Sequence, residues 1–363
     1  MRKILFLLPV LLSYSAFTQS LSDRIIKKLE NNNPQAAVNI IDSVFAKKYK
    51  QSYKIFYLKS VSYIELYKKN NDLSLLDTAY RNLLIAKDLD SQKELNTDIN
   101  NALVDVASRY VYKGVDDFNS GNYGNALKAF ENSIKINNMP AIMQIDTIII
   151  YNAALAAKKL KKYDKAIDFY SQLRNFNFGG LSMGLELAQT YLLSGNVEKY
   201  FETLKILENE YGQTQEIIEE YINFYLTRGD EENILKYSSL AIEKYPDNSK
   251  YYFIKGYAYE QKGKDLQAIH EYSTSLQLDS ANLNSLYNLA AIYYNKGIEI
   301  RKVAKTKDEI NKSNNYFTKS MKLLEKYDKL SPNDKQTMEL LRSIYKILNF
   351  TDKFDEINKK INN

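Results

Sequence analysis

Cysteine is absent from the 363 residues, and so is tryptophan. Without cysteine there is no disulfide, no thiolate metal site, no cysteine nucleophile and no cysteine-borne lipid. Histidine occurs once, at His270, so no second histidine or cysteine exists to share a metal. On a prospective helix, between Ala268 and Tyr272, it is expected to face solvent. Glycine (12) and proline (5) are few, which argues against extensive disorder. The apolar run Ile4 to Leu12 is nine residues long, against the roughly 20 that spanning a bilayer requires, and no later segment approaches that length. Charge of one sign is scarce too. The formal net charge is +6, with Arg2 and Lys3 contributing two of it, and lysines are interspersed with acids as on solvated helix faces. No nucleic-acid partner is expected from that balance.

The first residues do carry a pattern. Met1, Arg2 and Lys3 make a basic start, Ile4 to Leu12 an apolar run, and Ser13 to Thr18 a stretch that is small and polar apart from Tyr14 and Phe17. This reads as a secretory signal peptide over residues 1–18, cut after Thr18. An exported chain is expected, in the periplasm or secreted.

What is abundant is tyrosine (31) and phenylalanine (15), within an apolar share of 45%. That supplies large, rigid groups for a continuous helical core. Gly195, Gly229, Gly263 and Gly297 follow one another at intervals of 34 residues, and Lys161 holds the same phase one interval earlier. Four residues before each glycine stands Tyr191, Tyr225, Tyr259 or Tyr293. The spacing predicts helix-turn-helix repeats. In the clearest unit, Ser249 to Asn282, Gly256 and Ala268 are expected where the two helices cross most closely, with Tyr259 and Tyr272 filling the space beside them. Gly263 is expected to close the first helix in the left-handed conformation.

These residues resemble the tetratricopeptide repeat (TPR) family. Gly114, Gly121, Tyr123, Ala126 and Phe130 reproduce the pattern in an earlier unit, Ala154, Tyr163, Ala166 and Tyr170 in the next, and Pro246 and Pro332 sit at unit boundaries. From Gly121 to Lys161 the interval is 40 instead of 34, so a few residues near 138–142 read as inserted. Tyr200 and Ile234 stand where small residues are expected, marking two degenerate units. The resemblance implies an all-α, α/α superhelical solenoid. Its expected parts are degenerate repeats over 19–105, a TPR array over 106–334 with an insertion at about 298–313, and a capping helix pair over 335–363.

In this family the first helix of each pair lines a concave surface. Counting back from the register positions places Tyr151, Leu155 and Lys158 there, then Leu185, Gln189 and Leu192, and Glu219, Asn223 and Leu226. Phe253, Tyr257 and Glu260 follow, and then Tyr287, Ala291 and Tyr294. From these, Tyr151, Asn223, Phe253, Tyr257, Tyr287 and Tyr294 are the candidate partner-binding residues, the rings acting as anchors. The alternative is that they pack against neighbouring repeats. A carboxylate-clamp receptor is disfavoured, since the corresponding positions carry Glu219, Asn223, Ile254 and Asn284, or Val111 and Val115, and no cations.

Sites for chemistry are expected to be lacking. The pairs Glu219 with Glu220 and Glu231 with Glu232 read as solvated charges. Gly179, Gly180 and Gly184 lack the strand and lysine of a phosphate cradle and read as a loop between repeats. Arg301, Lys302, Lys305, Lys307 and Lys312, diluted by Asp308 and Glu309, read as a solvated helical excursion. No catalytic, metal or cofactor residue is expected. The function expected is a non-catalytic scaffold for a protein or peptide of the cell envelope, with a glycan or small-molecule groove, and then a hydrolase with a site between repeats, as alternatives.

Overall fold

Amphipathic stretches of 12 to 24 residues, separated by short polar turns, fold into helix after helix. The computed structural model describes residues 16–45 and 52–362. The expected leader, 1–18, lies outside these for its first fifteen residues. Among the described residues there are eighteen α-helices and no strand. Contacts divide the chain into two compact units, through Glu210 and from Tyr211.

The first unit holds α1 (Ala16–Glu30), α2 (Pro34–Phe45), α3 (Tyr53–Asn70), α4 (Leu73–Leu89) and α5 (Asn96–Asn119). It continues with α6 (Tyr123–Asn137), α7 (Thr147–Lys159), α8 (Tyr163–Asn175), α9 (Gly180–Leu193) and α10 (Val197–Tyr211). α3 pairs with α4, α5 with α6 and α7 with α8, and each pair also meets the next. One buried cluster runs from Tyr57 through Leu83 and Tyr110 to Ile136, and a second from Phe130 through Ala154 and Tyr170 to Met183. The residues expected as an insertion near 138–142 form the non-helical link between α6 and α7, pinned by Met139 and Ile142 against the first cluster.

The second unit holds α11 (Gln215–Leu226), α12 (Glu231–Lys244), α13 (Ser249–Gln261), α14 (Asp265–Leu278), α15 (Leu283–Val303), α16 (Lys307–Leu330), α17 (Lys335–Ile347) and α18 (Thr351–Asn362). These pair in order, each pair resting on the next. Tyr200 and Ile234, out of pattern in the sequence, are buried in their units all the same. The fold accommodates a large residue at these positions.

Turn chemistry follows the register. Lys161, Gly195, Gly229 and Gly263 adopt left-handed φ values of 58°, 85°, 62° and 67°. In each case the next residue's N–H reaches back to a carbonyl four residues before the register position. Asn196 bonds Tyr191, Asp230 bonds Tyr225 and Lys264 bonds Tyr259. The register tyrosines therefore supply the acceptors that close their helices. A Cβ at Gly263 would have nothing within 4 Å, so Gly263→Ala is opposed by the backbone alone and should destabilise by about 1 kcal/mol. Lys161→Gly, at the same conformation, should stabilise by about as much. Urea unfolding followed by circular dichroism checks both signs.

Gly297 departs from the expected role. α15 runs through it to Val303, and its φ is not left-handed. The absent Cβ serves packing instead, since one built there would stand 2.8 Å from the Phe317 ring. The segment expected as an insertion is thereby an extension of the hairpin. Two hydroxyls clamp it across the pair, Ser320 Oγ to the Ala290 carbonyl and Ser313 Oγ to the Gly297 carbonyl, each at 2.8 Å. Both partners advance by seven residues, two helical turns, in opposite directions. A capping box between Thr306 and Glu309 starts α16 after the turn. Arg301 bonds Ser313 and Asn314 and lies over the Phe317 ring, whereas Lys302, Lys305, Lys307 and Lys312 are exposed.

Gly256 has Tyr272 beside it, as expected: a Cβ there would meet the Tyr272 ring at 2.7 Å, and Tyr272 shares a buried cluster with Ala268 and with Leu289 and Ile292 of α15. The same arrangement recurs at Gly114, where Phe130 would stand 2.6 Å away. The small position of the first helix receives a ring of the second.

Candidate interaction surface on the first helices

Phe253, Tyr257 and Glu260 lie at i, i+4 and i+7 of α13 and so share one face. All three are half-buried. The Phe253 ring stacks on Tyr272 at 5.8 Å between centroids. On α15, Tyr287 tilts against Tyr327 at 6.0 Å and Tyr294 meets Phe317 edge-on at 5.6 Å. Each of these rings presents one side outward while the other is held by a ring of α14 or α16, a geometry that limits rotamer freedom. Asn223, on α11, is exposed. Tyr151 belongs to the first unit, where its ring tilts against Phe178 at 6.3 Å. The structure thus brings Phe253, Tyr257, Tyr287 and Tyr294 onto the consecutive first helices α13 and α15, and shows that three of these rings also have packing roles.

Beneath this surface lies a feature that the sequence did not reveal. Several buried tyrosines direct their hydroxyl to a carboxylate on a neighbouring helix. In the first unit Tyr110 of α5 donates to Asp77 of α4 at 2.7 Å, and Lys128 and Asn132 of α6 bind the same carboxylate. Tyr170 of α8 donates to Glu186 of α9 at 3.2 Å, and Lys158 of α7 pairs with it at 2.8 Å. In the second unit Tyr251 of α13 donates to Glu219 of α11 at 2.8 Å, beside Lys250 and Gln215. Tyr345 of α17 donates to Glu325 of α16 at 3.1 Å, with Lys353 of α18 as the cation. A large buried residue with one polar end requires such a partner. The abundance of tyrosine without tryptophan was the available signal.

The joint on the candidate surface is Tyr272 of α14, which donates to Glu260 Oε2 at 2.6 Å and accepts from the Asn288 amide of α15 at 3.1 Å. Burial and the bond to Glu260 push the Tyr272 hydroxyl far above its ordinary value, so it stays a neutral donor. Glu260 itself is raised, chiefly by burial, with Asp265 adding to the shift and the Tyr272 bond opposing it. Glu219 contrasts: burial pushes it up, but the bonds from Tyr251, Lys250 and Gln215 outweigh that and hold it below the ordinary value. For Glu260 the folded state therefore binds its proton more tightly than the unfolded chain does. Its contribution to stability is present at pH below the ordinary value of 4.5 and is lost as pH rises through the raised value. Glu260→Gln, which keeps an acceptor for Tyr272, should make stability flatter across that window and leave neutral-pH stability unchanged or higher. Urea midpoints between pH 4 and 8 are the measurement; a midpoint lowered at neutral pH would contradict the assignment.

Other candidates settle simply. His270 is exposed. Gly179 and Gly180 are left-handed residues of the turn into α9. No group of three His, Cys, Asp or Glu stands together among the described residues, and no described helix is long and apolar enough to cross a membrane.

The α7–α8 and α13–α14 hairpins coincide with the two stretches, 149–173 and 249–282, that match the family model of the tetratricopeptide repeat. The chain is similar to a TPR repeat-containing protein of Methanocaldococcus jannaschii, 28% identical over 200 residues, or 52% of this chain and 34% of that one. It thus spans about a third of that relative's length. Among solved structures, it is similar to a TPR repeats protein from Bacteroides fragilis (19% identity, 66% of this chain and 98% of that one, TM-score 0.30). Another is a tetratricopeptide repeat protein from Parabacteroides merdae (15% identity, 81% and 99%, TM-score 0.35). With its turn register, its small-against-ring helix pairs and the stretches matched in both units, the chain carries tetratricopeptide repeats.

Proposed function

We propose that this chain is an exported, non-catalytic scaffold that holds another protein or peptide of the cell envelope against its first helices. The observation that carries the reading is the set of half-buried rings of α13 and α15, Phe253, Tyr257, Tyr287 and Tyr294. Three of the four are braced from behind by inner rings. A braced ring loses little freedom when a partner covers its outer side, so binding retains most of the gain from burial. Export rests on the basic and apolar start of the sequence, and tetratricopeptide repeats commonly mediate protein interaction.

The test is site-specific photo-crosslinking in the native cell. A photoreactive residue at Tyr257 should give one discrete protein adduct that is lost when Tyr294→Ala is added. The same probe at Leu266, 78% exposed on the second helix α14, should not give that adduct. Equal adducts from both positions, or none from Tyr257, would refute the reading. Recovery of the chain in the cytoplasmic fraction would refute export.

A further inference from the structure

One charge on this face is left unanswered by the chain. Six carboxylates that accept a tyrosine hydroxyl can be compared. Glu94, Asp77, Glu186, Glu219 and Glu325 each also hold a lysine, respectively Lys54, Lys128, Lys158, Lys250 and Lys353. Glu260 holds none. Where the joints at Asp77, Glu186 and Glu325 reach a lysine on a third helix, this one reaches Asn288, a neutral amide that donates to the Tyr272 hydroxyl and not to the carboxylate. The nearest charges do not compensate, since Asp265 is itself acidic and is taken by Lys296 at 2.7 Å.

A half-buried carboxylate without a cation is unfavourable for the fold. This one is placed at the end of an outward stripe, Phe253, Tyr257, Glu260, with the Tyr272 hydroxyl fixing one of its oxygens. The second oxygen makes no bond to the chain's own cations. A divalent metal would need several oxygen ligands, and no such cluster stands here. A cationic side chain needs one carboxylate and apolar or aromatic surface for its stem, and the stripe offers both.

We propose that Glu260 is the receptor for a lysine or arginine side chain of the bound protein, the stem of that side chain lying along Tyr257 and Phe253. The inference deepens the partner-binding reading and rests on it. The cation would complete the joint in the way Lys353 completes the one at Glu325. It would also set the register of the partner, because a charge-assisted bond tolerates less displacement than ring contacts do.

The experiment uses the full chain and two fluorescein-labelled nonapeptide pools with blocked ends and randomised apolar flanks, one with lysine and one with norleucine at the centre. Fluorescence anisotropy should show the lysine pool binding about tenfold more tightly, roughly 1.4 kcal/mol. Glu260→Gln should bring it to the norleucine level, while Glu325→Gln, away from this face, should leave the preference intact. If Glu260→Gln proves unfolded by circular dichroism, the lysine-to-norleucine ratio on the wild-type chain decides alone. Equal binding of both pools, weakened by Tyr257→Ala, would overturn the cation site and leave the partner-binding face standing. Binding of neither pool would also overturn it, with the partner-binding face then judged by the crosslinks from Tyr257.

Discussion

Replacement of Tyr272 by alanine is expected to destabilise the second unit by about 3 to 5 kcal/mol, the range for deleting a buried aromatic side chain. The ring is fully buried, is stacked by Phe253, and fills the space left by Gly256. Its loss would leave a cavity between α13 and α14 and remove the donor to Glu260. Tyr272→Phe separates the two contributions. It keeps the ring and removes only the hydroxyl, so about 1 kcal/mol is expected. Urea unfolding monitored by circular dichroism gives both values. A Tyr272→Ala loss no larger than that of Tyr272→Phe would mean that the ring is not the packing centre of the pair.

Gly297→Val should be nearly as damaging, about 2 to 3 kcal/mol, at the upper end of overpacking costs. The first added carbon would stand 2.8 Å from the Phe317 ring. That ring is fully buried, with Tyr294 edge-on and Arg301 over it, so it has little room to yield. The β-branch would add strain inside a helix. The contrast with Gly263→Ala is diagnostic: there the penalty is backbone conformation, whereas here it is volume. A Gly297→Val chain as stable as the wild type would show that α15 and α16 can separate at this point without loss.

These two glycines mark where the sequence could and could not be read. The 34-residue register located the turns after Tyr191, Tyr225 and Tyr259, because only a residue tolerant of positive φ closes a helix in that way. It misplaced the turn at Gly297, since glycine also serves where a Cβ must be absent, and spacing alone does not separate the needs. Gly256 was legible as a close-approach residue and Tyr272 as a ring beside it. The tyrosine-to-carboxylate joints escaped notice for a plainer reason. Their separations are 33, 16, 32, 12 and 20 residues, and no period connects them. The outward rings were legible as first-helix positions. That Phe253, Tyr287 and Tyr294 also pack inward was not, because half-burial suits either role.

Those joints have a consequence for how neighbouring helices move. Apolar faces can slide past one another at small expense, whereas a hydroxyl aimed at a carboxylate fixes rotation as well as distance. At Asp77, Glu186 and Glu325 one carboxylate fastens three successive helices. Glu260 fastens α13 to α14 alone, through the Tyr272 hydroxyl, and α15 is tied in by Asn288 to that hydroxyl and by the Lys296–Asp265 pair. A cation arriving at Glu260 would give this carboxylate the third tether that the other three already hold.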